Sequence, residues 1–360
     1  MKFLQKIKKI LPVSFRSKIL ASKYFAGTLQ LKMYNEEDYA EALTQALETY
    51  LSEAEKNEKK RLKKIVTDAI KSNLLFGFKP HEYFMYDLAE KDVKEWAEYL
   101  AERERVVMLT RGYGKVLKAQ LRDKWKFYQL AKPFFKREIF HLTNETSLED
   151  FVSFAQRVRH LFCKPTDGHM GIDICKYDIE EHPAVGDIYK DLLSKSSDWV
   201  VEECIRQGNE LAVWNESSVN TIRFPAFYRK GVLTPYYPRL RTGRKGQIVD
   251  NVAQGGLVAF VDAKTGIIIT DGFLKKNETM SKHPDSGIVF KGTAIPHWPE
   301  LLEYAEKLHE ALPQHVFIAW DFAYSDKGWD IVEANWGQMD STQMIIGHGI
   351  REEFHELLGK

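Results

Sequence analysis

Residues 315–339 read HVFIAWDFAYSDKGWDIVEANWGQM, two apolar runs rich in β-branched and aromatic residues around a polar, glycine-containing break. That pattern predicts a β-hairpin. A three-residue loop of Asp326, Lys327 and Gly328, with the glycine in the left-handed position such loops need, sets Asp321 opposite Glu333. Asn335 then falls on the same face, two residues on. Two carboxylates facing each other across a ladder repel unless a cation lies between them. Unpaired acids are also rarely tolerated inside apolar runs such as Ile318, Ala319 and Trp320 or Ile331, Val332 and Ala334. The oxygens of Asp321, Glu333 and Asn335 suit a hard divalent ion, Mg²⁺, which completes its shell with waters and substrate phosphates. The hairpin points towards nucleoside triphosphate chemistry; the bland alternative is a hairpin whose acids are solvated on an exposed face.

A chain of 360 residues, 44% hydrophobic, is long for one core and predicts two or three lobes. The formal net charge of +1 offers no basic footprint, and no zinc-finger or aromatic RNA-recognition motif is present, which argues against nucleic acid as a partner. Cys163, Cys175 and Cys204 all fall in strand-like runs and fit a reducing compartment and core packing better than a disulfide framework or a zinc site. No run approaches the roughly 20 apolar residues of a membrane span, and no apolar signal core follows the first lysines, so a cytoplasmic protein is expected. Lys2, Lys6, Lys8, Lys9, Arg16, Lys18, Lys23 and Lys32 nonetheless precede the first acid, Glu36. With Phe3, Leu4, Ile7, Ile10 and Leu11 at helical spacing among them, residues 1–23 either lie on an anionic membrane surface or form a helix docked on their own domain.

Residues 1–110 read as a mainly helical region. Asn35 and Asp38 can cap a helix with Tyr39, Leu43, Leu47, Tyr50 and Leu51 on one face; a basic helix follows with Leu62, Ile65, Val66 and Ile70. Gly77 and Pro80 break the pattern, and helix signals return over residues 93–104. From about Arg111 the texture changes to a basic helix and then short strands. The run LFCKP (161–165) ends in Lys164, followed by Thr166, Asp167, Gly168, His169, Met170 and Gly171 and a second strand over 172–176. A lysine at a strand end beside a glycine-containing turn can hold phosphates, although most such lysines are simply surface residues.

The run WVVEECI (199–205) brings Glu202, Glu203 and Cys204 to where a buried strand meets a loop, an edge able to read adenine, with Glu210 spaced to meet a ribose. NTIRFP (220–225) opens a long strand in which Arg223 interrupts the apolar pattern, and Arg239, Arg241 and Arg244 follow. A buried-strand arginine needs an anionic partner, either a structural carboxylate or a ligand. Gly255 and Gly256 allow close backbone approach, Asp262 to Gly266 reads as a hairpin turn, and His283 fits either turn hydrogen bonding or substrate contact.

Taken in order, Asp123-Lys124, Lys164-Pro165, VEECI, NTIR, RLRTG, VDN, the Gly255-Gly256 pair, HPDSG, then Trp320-Asp321 and EAN resemble the ATP-grasp superfamily, and most closely its sugar-transfer-associated family. The teichuronopeptide-type ATP-grasp proteins are the near alternative. The resemblance runs from about Arg111 to Gly347 and implies an α+β fold of two lobes gripping ATP, a small one over 111–205 and a large one over 206–360. It implies that Lys124 and Lys164 bind phosphates under a loop from Thr166 through Gly168 to Gly171, in which His169 and Met170 are larger than usual. It further implies that Glu202, Glu203, Cys204, Ile205 and Glu210 surround the nucleoside and that Asp321, Glu333 and Asn335 hold Mg²⁺. Arg223 and Arg241 would meet the transferred phosphoryl group, and Asn220, Arg239, Asn251, Gly255, Gly256 and His283 would line the substrate site. The implied activity is an ATP-dependent carboxylate–amine ligase in surface-polysaccharide synthesis. No Ser-His-Asp or Cys-His set competes with that reading, because acyl phosphate chemistry asks for positioning and charge neutralisation rather than a protein nucleophile. A sugar kinase and a nucleotide-binding partner of glycosyltransferases stay open on the same residues.

Overall fold

The computed structural model describes residues 36–167, 173–181, 184–250, 254–275, 278–337, 339 and 341–359. The chain divides into two compact units, Met1–Gly112 with Met339–Lys360, and Tyr113–Gln338. The first is helical. Helix Glu36–Tyr50 buries Tyr39, Leu43 and Ala46 against Ile65, Ala69 and Ile70 of helix Lys59–Phe76, and the Tyr39 hydroxyl donates to the Ala69 carbonyl at 3.0 Å. Gly77, at φ +80°, closes the second helix, and Pro80 opens Pro80–Met85, where its missing N–H costs nothing. The helix expected over 93–104 is instead interrupted between Val93–Trp96 and Glu102–Arg122. The reason lies far along the chain. Gln343 accepts the Leu100 N–H at 2.8 Å and donates to its carbonyl at 2.9 Å, so a side chain satisfies that backbone in place of a helical ladder. Gly349 presses so close that a Cβ would lie 2.2 Å from the Glu98 carbonyl. Residues from Met339 onwards therefore belong with the helical unit rather than with the large lobe.

The second unit carries two antiparallel sheets. The first is built from β1 (Ile139–Thr143), β2 (His160–Pro165), β3 (Cys175–Asp178) and β4 (Asp198–Glu203), in the order β1-β4-β2-β3. Helices Leu148–Val158 and Val185–Lys195 share its core, where Phe151, Phe154, Leu161, Cys163, Leu192 and Trp199 are buried. The strand expected over 172–176 is described from Cys175 on, and Cys204 stands one residue beyond the end of β4.

The second sheet consists of β5 (Thr221–Arg229), β6 (Val232–Pro235), β7 (Arg239–Thr242), β8 (Leu257–Phe260), β9 (Gly272–Lys275), β10 (Glu278–Met280), β11 (Phe317–Ser325) and β12 (Gly328–Asn335). Their order is β10-β9-β8-β7-β5-β11-β12, with β6 on β5. One face buries Ile222, Phe224, Leu240, Trp320 and Phe322 under Leu301, Ala305 and Leu308 of helix Trp298–Ala311. Fully burying each such leucine contributes about 1.5–3 kcal/mol. The period of two then sends the alternate residues to the opposite face, and these include Asp321, Arg223, Arg239 and Arg241.

The decisive hairpin forms with Asp321 paired to Glu333, but by a different route from the expected one. Gly328 takes the left-handed φ of +86° yet already pairs with Ser325, leaving Asp326 and Lys327 as the connection. The register shifts between Asp321 and Phe322, which leaves Val332 as an extra residue on β12. That bulge has a large effect. Trp329, Ile331 and Ala334 all reach the core cluster, so Asp330 and Glu333, three apart, both point away from it.

Candidate active site

The polar face of the large sheet is organised by strand register. Glu333 pairs with Asp321, Asp321 with Arg223, Arg223 with Arg239 and Arg239 with Phe260, a row running across β12, β11, β5, β7 and β8. Arg241 lies two residues further along β7, opposite Thr221. Arg223 and Arg241 each donate to Asp321 Oδ2 at 3.0 Å, and Arg223 Nε also meets Asp321 Oδ1. Arg241 reaches Asp250 at 2.9 Å, which also accepts the Thr221 hydroxyl. Asn335 Nδ2 donates to Glu333 Oε1 at 3.0 Å.

Asp321 is buried and Glu333, its cross-strand partner, is half-buried, so each carboxyl is sensitive to the charge of the other. Burial raises Asp321 to about 6 against the pull of Arg223 and Arg241, with the Glu333 charge adding to the rise. Burial also pushes Glu333 up, but Arg223, the hydrogen bonds to Asp321 and Asn335, and Lys164 outweigh it and hold it at about 2. Among the described residues no cluster of three or more His, Cys, Asp and Glu side chains is arranged to hold a metal. The donor set here is two carboxylates and an amide, all hard oxygens. Two carboxylates paired across a ladder, one of them buried, mark a place that a cation fits, so the residues suit Mg²⁺.

One lysine of the small sheet and one at the start of a helix act on Glu333 electrostatically. Lys164, near the end of β2, is buried and bonds Glu202 Oε1 at 2.8 Å. Lys124 opens helix Lys124–Ala131; its N–H donates to the Thr166 carbonyl at 3.0 Å and its ammonium to the Pro165 carbonyl at 3.1 Å. Burial lowers its pKa, Lys164 acts in the same direction, and Glu333, Glu202 and Asp167 oppose them. Glu202 itself is held below the usual carboxylate range: burial pushes it up, but Arg137 and Lys164 outweigh burial.

The remaining expected residues fall into two groups. Thr166 is buried, with its N–H on the Asp198 carbonyl at 3.2 Å, beside Lys124. Glu203 ends β4 and accepts the Glu138 N–H at 3.2 Å and the Lys327 ammonium at 3.4 Å. Cys204 and Ile205 begin the segment leading to the large sheet; the Cys204 thiol is raised to about 11 by burial, and its N–H donates to the His160 carbonyl at 2.9 Å. Glu210 lies on the short helix Asn209–Ala212, half exposed and 3.7 Å from His297. Arg239 is buried with its guanidinium over the Phe260 ring at 5.8 Å, and Gly255 takes φ +92° with Gly256 leading into β8.

Asn220 and His283, expected at the substrate site, are both buried and hydrogen-bonded within the chain. Asn220 is fully buried; its amide donates to Gln207, Leu211 and Asn215, and its oxygen accepts the Thr242 hydroxyl at 2.6 Å. His283 is buried, with Nε2 on the Gly243 carbonyl at 2.9 Å and Nδ1 accepting the Asp285 and Ser286 N–H groups. Turn bracing engages both ring nitrogens. Glu202 is likewise committed to Lys164 and Arg137 rather than aligned along an open strand edge. Gly168, Gly171, Asn251 and the basic segment 1–23 lie outside the described residues.

Sequence reasoning missed Arg137 and Asp330. Arg137 bonds Glu202 Oε2 through Nε at 2.9 Å and Nη2 at 2.8 Å, and Asp330 through Nη1 at 2.8 Å. A single arginine in PFFKRE gave no periodic signal, and Asp330 reads as facing away from Glu333 until the bulge is seen.

The sequence model described as sugar-transfer associated ATP-grasp matches residues 111–357. No curated protein matches the chain. Among solved structures, D-alanyl-alanine synthetase A from Vibrio cholerae O1 biovar eltor is similar at 13% identity and a TM-score of 0.43, over 67% of this chain and 65% of that one. The chain thus spans about two thirds of that relative's length. D-cycloserine synthetase DcsG is similar at 14% identity and a TM-score of 0.41, over 69% of this chain and 73% of that one. The ATP-grasp ligase PsnB, solved with its minimal precursor, is similar at 11% identity and a TM-score of 0.42, over 71% and 69%. Two antiparallel sheets facing one set of lysines, arginines and acids, on a chain whose greater part matches that model, make this protein a member of the sugar-transfer-associated ATP-grasp family.

Proposed function

We propose that this chain is an ATP- and Mg²⁺-dependent carboxylate–amine ligase. The observation that carries the reading is the strand row in which Arg223 and Arg241 both bond Asp321 opposite Glu333, with Asn335 on Glu333 and the charges of Lys124 and Lys164 acting on Glu333. Such a site neutralises phosphate charge and positions reactants, and needs no protein nucleophile. Lys124 and Lys164 would hold the phosphates of ATP. Mg²⁺, held by Asp321, Glu333 and Asn335, would offset charge on the phosphate oxygens. Arg223 and Arg241 would face the transferred phosphoryl group, with Glu203, Cys204 and Ile205 beside the adenine and Glu210 towards the ribose. The acid substrate's carboxylate would attack the γ-phosphorus to give an acyl phosphate and ADP, and an amine would then displace phosphate to form an amide.

The family's description supports an amino acid or a sugar acid as the carboxylate and a role in surface-polysaccharide synthesis. The eight basic residues before Glu36 support work on the cytoplasmic face of an anionic membrane. No helix of the described residues is long and apolar enough to cross a membrane. The test replaces the amine with hydroxylamine across pools of amino acids and uronic acids. A ligase gives an acyl hydroxamate and ADP in equal amounts. A stable phosphorylated sugar as the only product makes the protein a kinase, and nucleotide binding with no ADP released for any acceptor identifies a nucleotide-binding partner of other enzymes.

A further inference from the structure

Four buried charges of alternating sign connect the two sheets. Asp330 on β12 meets Arg137 at 2.8 Å, Arg137 meets Glu202 on β4 at 2.8 Å, and Glu202 meets Lys164 on β2 at 2.8 Å. All four side chains are less than a tenth exposed. The geometry divides the two oxygens of Glu202: Oε2 takes Nε and Nη2 of Arg137, and Oε1 takes the Lys164 ammonium. Arg137 Nη1 also donates to the Ile331 carbonyl at 2.6 Å, fastening it beside the bulge that turns Asp330 and Glu333 to one face. The Lys136 N–H donates to the other Asp330 oxygen at 3.1 Å, so Asp330 is held from two sides.

We infer that Arg137 is a positioning residue that sets how much positive charge Lys164 presents to a bound phosphate. The inference rests on the reading that Lys164 meets the phosphates of ATP. A carboxylate 2.8 Å from an ammonium would otherwise cancel most of its charge towards a ligand. By taking one oxygen of Glu202 in a charge-assisted contact, Arg137 draws that carboxylate's charge to itself and leaves more of the Lys164 charge uncompensated towards a ligand. Its second contact, to Asp330, ties that setting to the strand that carries Glu333. Phosphate-binding lysine and metal-site acid are thereby held in register across two sheets by one guanidinium.

The test uses neutralising combinations, because removing Arg137 alone strands two buried carboxylates and endangers folding. In Arg137→Met with Asp330→Asn, Glu202 has only Lys164 as a charged partner. MgATP affinity by calorimetric titration is then expected to fall roughly tenfold, about 1.4 kcal/mol, with the KM for ATP rising and the amine's KM unchanged. Adding Glu202→Gln frees Lys164 and is expected to return the affinity to within about threefold of wild type, whereas a merely structural role predicts further loss. Arg137→Lys, which lacks the fork, is expected to rescue partly. Unchanged affinity in the double variant, or no recovery in the triple, overturns the inference. Wild type that binds no MgATP instead removes the nucleotide reading. In that event inorganic pyrophosphate, titrated calorimetrically, still decides: it binds more weakly to the double variant than to wild type, and equal affinity overturns the inference.

Discussion

Replacing Glu333 by glutamine tests the acid pair most directly, because its two members have opposite effects on stability. Asp321 rises from 3.8 to about 6, chiefly through burial, and Glu333 falls from 4.5 to about 2 because Arg223, Asp321, Asn335 and Lys164 outweigh burial. At about 1.36 kcal/mol per pKa unit, ionised Asp321 costs about 3 kcal/mol of folding stability and ionised Glu333 contributes about 3 kcal/mol. The Asp321 pKa is raised, so its share of stability is full below pH 3.8 and lost as pH rises through about 6. The Glu333 pKa is depressed, so its share is full above pH 4.5 and lost as pH falls through about 2. Without divalent metal the pair therefore stabilises most at about pH 4 to 4.5, loses stability from there to about pH 6, and nearly cancels above that. Glu333→Gln removes the favourable Glu333 share but leaves Asp321 buried, so its melting temperature at pH 7.5 is expected to fall by about 4 °C or more while the decline from about pH 4.5 to 6 persists. Mg²⁺-dependent ADP release should disappear. Calorimetric scans from pH 4.5 to 8 and a coupled ADP assay on the same preparation read both outcomes. A folded variant with wild-type turnover would refute the metal assignment, and an unchanged melting temperature at pH 7.5 would refute the stabilising share of Glu333.

Three further outcomes follow from particular contacts. Gly266 sits at φ +73° with its absent Cβ 2.4 Å from Trp298 Cγ, so Gly266→Ala should lower the unfolding free energy read from urea titration by about 2 kcal/mol or more; an unchanged value means that the turn relaxes freely. His283→Ala, which removes the brace on Gly243 and the following turn, should lower the melting temperature while leaving the KM of each substrate unchanged, and a selective rise in one KM would restore His283 to the substrate site. Deleting residues 1–23 should abolish salt-sensitive co-sedimentation with anionic vesicles, since each basic residue near such a surface contributes about 1 kcal/mol; undiminished binding would show that this segment does not carry the contact.

Motif order and hairpin patterning carried the reading a long way. The β11–β12 pairing of Asp321 with Glu333, the strand placement of Lys164, Arg223 and Arg241, and the helices that bury Tyr39 and Ile65 were legible because each rests on local periodicity or on an ordered set of short motifs. The pairing nonetheless emerges from a two-residue connection plus a bulge at Val332, a combination that the expected three-residue loop imitates in register alone. Helix 93–104 failed because Gln343, some 240 residues away, captures the Leu100 backbone. Propensity has no access to so distant a partner.

The sequence by itself determined the residue types in the site and their order, because alternation along a strand dictates which side chains share a face. It also carried the oxygen-donor chemistry of Asp321, Glu333 and Asn335. Only the tertiary structure decided which charges are committed to one another. Glu202 is bound by Lys164 and Arg137, Asn220 and His283 brace turns, and Asp330 joins Glu333 on one face. A buried charge must find its partner in space, at separations such as the 193 residues between Arg137 and Asp330. Strand register, bulges and the meeting of two sheets set those partnerships, and no single stretch of the chain contains them.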